Sequence, residues 1–118
     1  MHIDEPAVLI RLTQSFKPEM SALALYDATR GSWKMNPSRH DAVYAFAVNG
    51  GIVQEAYKIT RWEPAGTTEY PTRPYMKPTP GRWEFVGSVA DATVRRKYLG
   101  QSVAEHLAGQ NPIRYVNC

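Results

Sequence analysis

The sequence predicts an α+β domain: a small, strongly curved, mainly antiparallel sheet or partly closed β-barrel of about five strands, with two helices. Three observations lead there. Short β-rich runs recur along the chain, and two of them flank Asn49-Gly50 in the manner of a hairpin. Only two stretches carry helix signals, and the strands between them lack the regular βα alternation of a doubly wound fold. The length, 118 residues and 13.3 kDa with 43% hydrophobic and 21% charged residues, suits one domain spanning 1–118 with an ordinary core.

The elements follow in order. Ala7 to Thr13 is short, apolar and β-branched at its centre, which reads as a strand with one or both faces buried. Lys17-Pro18 breaks the chain. From Met20 to Arg30 good helix formers dominate, with Leu23 and Tyr26 sharing a face and Gly31 placed as a C-cap. Ser32 to His40, containing Asn36-Pro37-Ser38, reads as a loop. Ala42 to Val48 and Gly51 to Ile59 are the hairpin strands, and Asn49-Gly50 supplies the two positive-φ residues of a type I′ turn. In the second strand Val53, Tyr57 and Ile59 alternate with Gln54, Lys58 and Thr60, so one face is expected buried. Glu55 falls on that buried parity and needs a partner or a bulge.

Residues 63–81 form a proline-rich loop holding five of the nine prolines; a loop this long in a small domain is usually functional or disordered. Arg82 to Val89 resumes as a strand. Asp91 caps a helix from Ala92 to Leu99 that Gly100 stops, with Val94 and Tyr98 facing inward. Ser102-Val103-Ala104-Glu105 matches a capping box for a further helical turn, and Ile113 to Val116 closes the chain as a strand.

Several function classes drop out. No apolar run approaches the roughly 20 residues a membrane helix requires, so no membrane partner is expected. The first residues lack a secretory pattern and the single cysteine, Cys118, forms no internal disulfide, which suits a cytoplasmic location. His2, His40, His106 and Cys118 show no metal-ligand spacing, and no phosphate-loop motif or nucleophile elbow occurs. Glu55 and Lys58, three apart, face opposite sides of a strand and do not converge on a phosphate as a nuclease site requires. No metal, cofactor or catalytic residue is therefore expected.

Charge favours a different partner. Fourteen Lys and Arg stand against eleven Asp and Glu, giving a net +3 and a pI near 9.1. Arg30, Lys34 and Arg39 fall in one acid-free stretch; Arg73, Lys77 and Arg82 fall in another, and Arg95-Arg96-Lys97 lies on the second helix. On one face these would hold phosphates; on separate faces they are solvated charge. Trp33 lies between Arg30 and Lys34, and Trp62 follows Arg61 on what reads as the wet parity of its strand. An indole beside a cation can stack a base, or it can anchor the core, which is the expectation for Trp83. Asn111 and Arg114, flanking Pro112, either read a base edge or bind an acidic partner, or Asn111 only satisfies backbone groups before the proline.

The blocks Leu25 to Trp33 (LYDATRGSW), Tyr44 to Val48, Trp83 to Gly87 and Gln110 to Asn117 (QNPIRYVN) resemble a family of small uncharacterised bacterial domains, over most of the chain outside the proline loop. In element order, a curved sheet with a tryptophan-bearing loop after the first helix is similar to the PUA-like group, including ASCH and EVE domains. That similarity implies RNA or modified-DNA-base binding, with the base in the barrel mouth.

The leading expectation is a non-catalytic nucleic-acid-binding domain, for RNA or DNA. Arg30, Lys34 and Arg39 would hold phosphate, Trp33 and Trp62 would stack, and Asn111 and Arg114 would line the same mouth. The alternative is a protein-interaction or adaptor domain whose proline loop contacts a partner through Tyr70, Tyr75 and Met76. A small nucleotide-acting enzyme is the third reading.

Overall fold

The computed structural model describes residues 2–74 and 77–118. Its elements are β1 (Ala7–Arg11), α1 (Ala22–Arg30), β2 (Trp33–Lys34), β3 (Tyr44–Asn49), β4 (Ile52–Pro64), β5 (Arg82–Val89), α2 (Ala92–Tyr98) and β6 (Ile113–Val116). The strands form one six-stranded sheet in the order β2-β5-β4-β3-β1-β6. β1 and β3 run parallel and every other neighbour is antiparallel. The result is a nearly closed α+β barrel with two helices, as expected, with six strands rather than about five. The additional strand is β2, two residues inside the segment expected to be loop; Trp33 and Lys34 pair with Trp83 and Arg82.

Curvature shows in the core. One apolar cluster takes a side chain from every strand, including Ile10, Trp33, Ala47, Tyr57, Phe85 and Ile113, and α1 fills it with Leu25, Tyr26 and Ala28. A flat sheet does not bring all its strands to one cluster; a sheet curled around a helix does. A second cluster lies on the outer face, where Val94 and Tyr98 of α2 pack on Leu9, Phe46 and Val53. Burial of each large side chain is worth about 1.5–3 kcal/mol. Val94 and Tyr98 face inward as expected. Leu23, expected to share a face with Tyr26, is 47% exposed, whereas Tyr26 packs on the inner cluster.

The caps explain the helix limits. Ser21 accepts the Ala24 N–H, so α1 starts at Ala22, and Asp91 accepts the Val94 N–H to open α2. Gly31 is extended, not left-handed. Its lack of a side chain matters for space: a Cβ there would collide with Tyr70 and Glu84. The hairpin turn sits one residue later than the sequence predicts, on Gly50 and Gly51, both with positive φ. Asn49 stays in β3 and its side-chain amide donates to the Leu12 carbonyl at 2.7 Å. After α2, the expected capping box gives only a single 3-10 turn over Ala104–His106, with Ser102 in an isolated bridge to Ile52.

Two bulges in β4 overturn its simple alternation. Between Ala47↔Glu55 and Val48↔Val53 the register slips by one, so Val53 joins the outer cluster while Tyr57 and Ile59 join the inner one. Glu55 has both the bulge and the partner it needed: Arg95 of α2 donates Nε at 2.8 Å and Nη2 at 3.1 Å. A second slip at Thr60, between Ile59↔Gly87 and Arg61↔Val86, inverts the parity beyond it. At this slip the strands approach so closely that a Cβ on Gly87 would overlap the Lys58 carbonyl.

β5 pairs with β2 only at Arg82 and Trp83, which leaves the rest of that edge without a strand. α1 supplies the missing partners. The Gly87 N–H donates to Tyr26 Oη at 2.9 Å, and Arg30 Nε donates to the Phe85 carbonyl at 2.9 Å. Side chains of a helix thus close a sheet edge that would otherwise invite pairing.

Candidate nucleic-acid interface

The Thr60 bulge turns Trp62 inward. Ile59 and Trp62 are an odd number of residues apart, yet both join the inner cluster, because the extra residue flips the alternation. Trp62 is therefore not on the wet face: it stands opposite Phe85, with ring centroids 5.5 Å apart, edge to face. Trp83 lies two residues before Phe85, opposite both Pro64 and Trp33. Directly opposite residues share a face. The three tryptophans consequently converge on the concave face at one end of the sheet, and each keeps part of its surface exposed. The indole N–H of Trp33 is fixed by the Thr29 carbonyl at 2.7 Å, which holds its ring to the end of α1.

His40 completes this end. Its ring meets Trp62 edge to face at 5.6 Å and lies against Tyr115 at 4.7 Å, linking β4 to β6 across the barrel end. Nδ1 accepts the Ala42 N–H at 3.1 Å, so the neutral ring carries its proton on Nε2, a buried atom without a partner among the described residues. Burial holds the His40 pKa below its ordinary value, against the opposing pull of Asp41. Tyr115, 42% exposed, extends the aromatic surface to the solvent.

Of the cations expected to hold phosphate, Lys34 and Arg39 are exposed and make no ion pair among the described residues. Asn36 caps the 3-10 turn over Pro37–Arg39 through the Ser38 N–H and so positions Arg39. Lys34 stands directly opposite Arg82, whose Nη1 donates to the Ser32 carbonyl at 3.3 Å. Two like charges facing each other across a strand pair repel.

Arg30 does not belong to this surface. It is 3% exposed, and its guanidinium is spent inside the protein on the Phe85 carbonyl, the Glu69 carbonyl at 2.8 Å and the Thr68 hydroxyl. Its basic sequence neighbours suggest a phosphate ligand, whereas the C-terminal turn of α1 aims it at the β5 edge. Beneath it Glu84, 0% exposed, lies 3.8 Å away. Glu84 accepts from the Gly66 N–H at 2.8 Å, the Tyr70 hydroxyl at 3.0 Å and the Thr68 hydroxyl. Tyr70, expected to meet a protein partner, is instead held under the Arg30 guanidinium, 4.2 Å from the ring centre, and burial raises its pKa. Tyr75 and Met76, the other residues of that reading, lie outside the described residues. The same loop ties Thr72, through its N–H and hydroxyl, to Asp27.

Asn111 and Arg114 are elsewhere too. β6 runs antiparallel to β1, so its start lies beside Ile10 at the end of the barrel away from the tryptophans. Asn111 Oδ1 accepts the Ile113 N–H at 2.9 Å, a local backbone bond before the strand. Arg114 stands opposite Leu9, hence on the outer face, where Nε donates to the His106 carbonyl at 3.2 Å. On the second helix Arg95 is engaged by Glu55 and Lys97 by Asp4 and Glu5, leaving Arg96 to solvent.

The assembled end thus contains Trp33, Trp62, Lys34 and Arg39 from the sequence reading. It adds Arg82, which the sequence placed in a separate basic stretch with Arg73 and Lys77, and His40, Trp83 and Tyr115, which no motif marked. Trp83 was visible only as an alternating core residue, and His40 only as a lone histidine without ligand spacing. Among the described residues no group of three or more His, Cys, Asp or Glu is placed to hold a metal ion, and no helix is long and apolar enough to cross a membrane. Comparison of the chain with family models, curated proteins and solved structures gives no match.

Proposed function

We propose that the protein is a non-catalytic module that binds single-stranded RNA or DNA at the tryptophan-bearing end of its barrel. The observation that carries this reading is the convergence of three partly exposed tryptophans on one face. Arg39, next to His40, and Lys34, on the other face of β2 from Trp33, are exposed at the same end and make no ion pair among the described residues. Aromatic rings that stack bases, rimmed by cations that track the backbone, are the general solution for single strands, with each stacked base worth about 1–3 kcal/mol. A phosphate between Lys34 and Arg82 would also relieve the repulsion that their cross-strand placement creates. The resemblance to PUA-like domains, in which the barrel mouth takes a base, points in the same direction.

The test is fluorescence anisotropy with labelled single-stranded and duplex RNA and DNA over a range of salt. Single strands are expected to bind more tightly than duplexes and to quench tryptophan emission. The Lys34→Glu, Arg39→Glu double variant is expected to weaken binding and to flatten the log–log salt dependence by about 0.7 for each phosphate that is no longer neutralised. Arg96→Glu, an exposed cation on α2, serves as the control and is expected to leave binding unchanged. Binding that is absent at low salt, or that falls equally with Arg96→Glu, would overturn the proposal.

A further inference from the structure

Arg11 stands out in the run that carries it. Ala7 to Ile10 before it and Leu12 after it are buried, and a guanidinium placed among them has to reach a polar partner or a wet cavity. Its Nη1 donates to the Gly109 carbonyl at 2.8 Å. Among the described residues Arg11 makes no other side-chain hydrogen bond and no ion pair, so Nε and Nη2 remain uncommitted. The side chain lines two neighbouring cavities, of about 340 Å³ and about 530 Å³, and Thr13 lines both. The smaller is walled by Gly50 and Gly51, the larger by Gln110 and Pro112, and neither lining contains an acidic residue. Arg11 pairs with Val48, at the end of β1 away from the tryptophans, so this region is separate from the proposed nucleic-acid surface.

A planar guanidinium with two free edges takes a carboxylate or a phosphate two N–H groups at a time. Cavities of several hundred cubic ångströms with a few placed polar groups are of small-ligand size. We infer that Arg11 anchors a small-molecule site that takes the oxyanion end, phosphate or carboxylate, of a compact ligand. The uncharged body of that ligand lies in the larger cavity, where the Thr13 hydroxyl and the Gln110 amide offer neutral donors and acceptors.

The experiment is a titration of the full chain, followed by ¹H–¹⁵N correlation spectra, with inorganic phosphate, acetate and a nucleoside monophosphate, and with sodium chloride as the ionic-strength control. Saturable shifts of the Arg11 Nε–H and of the Thr13 and Gln110 amides are expected with at least one oxyanion and not with chloride. Phosphate acting without acetate identifies a phosphate ester as the ligand class; acetate acting without phosphate identifies a carboxylic acid. Arg11→Gln is expected to weaken the affinity by at least about tenfold, the scale of one charged hydrogen bond, with Arg11→Lys intermediate. Gln110→Ala, at an exposed position, should weaken the nucleoside monophosphate and spare inorganic phosphate. Shifts that are absent, do not saturate, or are unchanged in Arg11→Gln overturn the inference. The spectrum of each variant reports whether it folds, and the wild-type titration decides the matter if Arg11→Gln does not. Oligonucleotide binding should be the same in Arg11→Gln and wild type, which keeps the two proposals separable.

Discussion

Removal of the Glu84 carboxylate is the most informative perturbation of the fold. Glu84→Ala strands the Gly66 N–H and the Tyr70 and Thr68 hydroxyls, three donors that now converge on one buried side chain. It also leaves the Arg30 guanidinium buried without its counter-charge. Each orphaned group costs about 1–3 kcal/mol. Those costs overlap, because the loop relaxes once released, and breaking one side of a buried pair typically totals about 3–5 kcal/mol. Against a whole stability of about 5–15 kcal/mol, that loss approaches the unfolding limit. In urea, with a slope of about 1–3 kcal/mol per molar for a small domain, the midpoint should fall by roughly 2 M. The assay is urea unfolding followed by tryptophan fluorescence, on wild type, Glu84→Ala, Arg30→Met and the double variant. Arg30 touches Glu84 directly and through Thr68, so the two losses should not add; the double variant should be more stable than the sum predicts by about 1 kcal/mol or more. A loss below about 1 kcal/mol for Glu84→Ala, or strict additivity, would refute the view of these residues as one coupled unit.

Three further outcomes follow from the same geometry. Gly87→Ala places a methyl group against the Lys58 carbonyl and should cost about 1–3 kcal/mol in the same assay, whereas Gly81→Ala meets open space and is penalised only through its positive φ. Glu55→Gln removes the charge from a bidentate pair whose Arg95 side is 40% exposed, and should lower the urea midpoint by less than Glu84→Ala does. Burial lowers the pKa of His40 in the folded state, so the unfolded chain binds the extra proton first. The stability due to neutral His40 is present above its ordinary value of 6.5 and is lost as pH falls below it towards the folded pKa. Thermal melts between pH 8 and pH 5 should therefore fall less steeply for His40→Gln than for wild type, and parallel curves would contradict this (the pH limits are roughly those of ordinary histidine titration).

What is legible in the sequence is what local chemistry decides. Asp91 as a cap, the inward pair Val94 and Tyr98, and the hairpin about Gly50 each depend on residues within a turn of one another, and the structure contains all three. The sequence marks Glu55 as needing a partner, although not which one, since Arg95 is forty residues away. Parity fails where the strand departs from its period. A run of alternating residues carries no mark of an extra residue at Thr60, and Trp62 reads as facing the wrong side for that reason alone. The cations fail for a different reason. Arg30, Lys34 and Arg39 are equivalent as sequence, and only the C-terminal turn of α1 against the β5 edge separates the first from the others. Asn111 and Arg114 flank one proline turn, yet strand direction puts Asn111 at the other end of the barrel and alternation puts Arg114 on its outer face.

The described part of the proline-rich segment is tied to the barrel by its own donors and acceptors. Its first half is not a free arm: donors at 66, 68 and 70 meet one carboxylate at 84, and Thr72 meets Asp27. Prolines at 64, 71 and 74 reduce the freedom of the unfolded chain and so lower the entropic cost of fixing this path. An apolar pair in place of Arg30 and Glu84 would supply comparable stability. It would not supply direction, because only a carboxylate with three donors and a guanidinium with three acceptors fix the order in which loop, helix and strand meet. Arg30 binds the Phe85 carbonyl of β5, the Glu69 carbonyl of the loop and the Thr68 hydroxyl at once. It stands three residues before Trp33, whose indole is held by the adjacent Thr29 carbonyl. The edge strand that carries Trp33 and Lys34 is only two residues long and has too few ladder bonds to position itself. Its orientation is therefore set from below by the buried cluster, in which Arg30 is spent on the fold while Lys34 and Arg39 stay exposed.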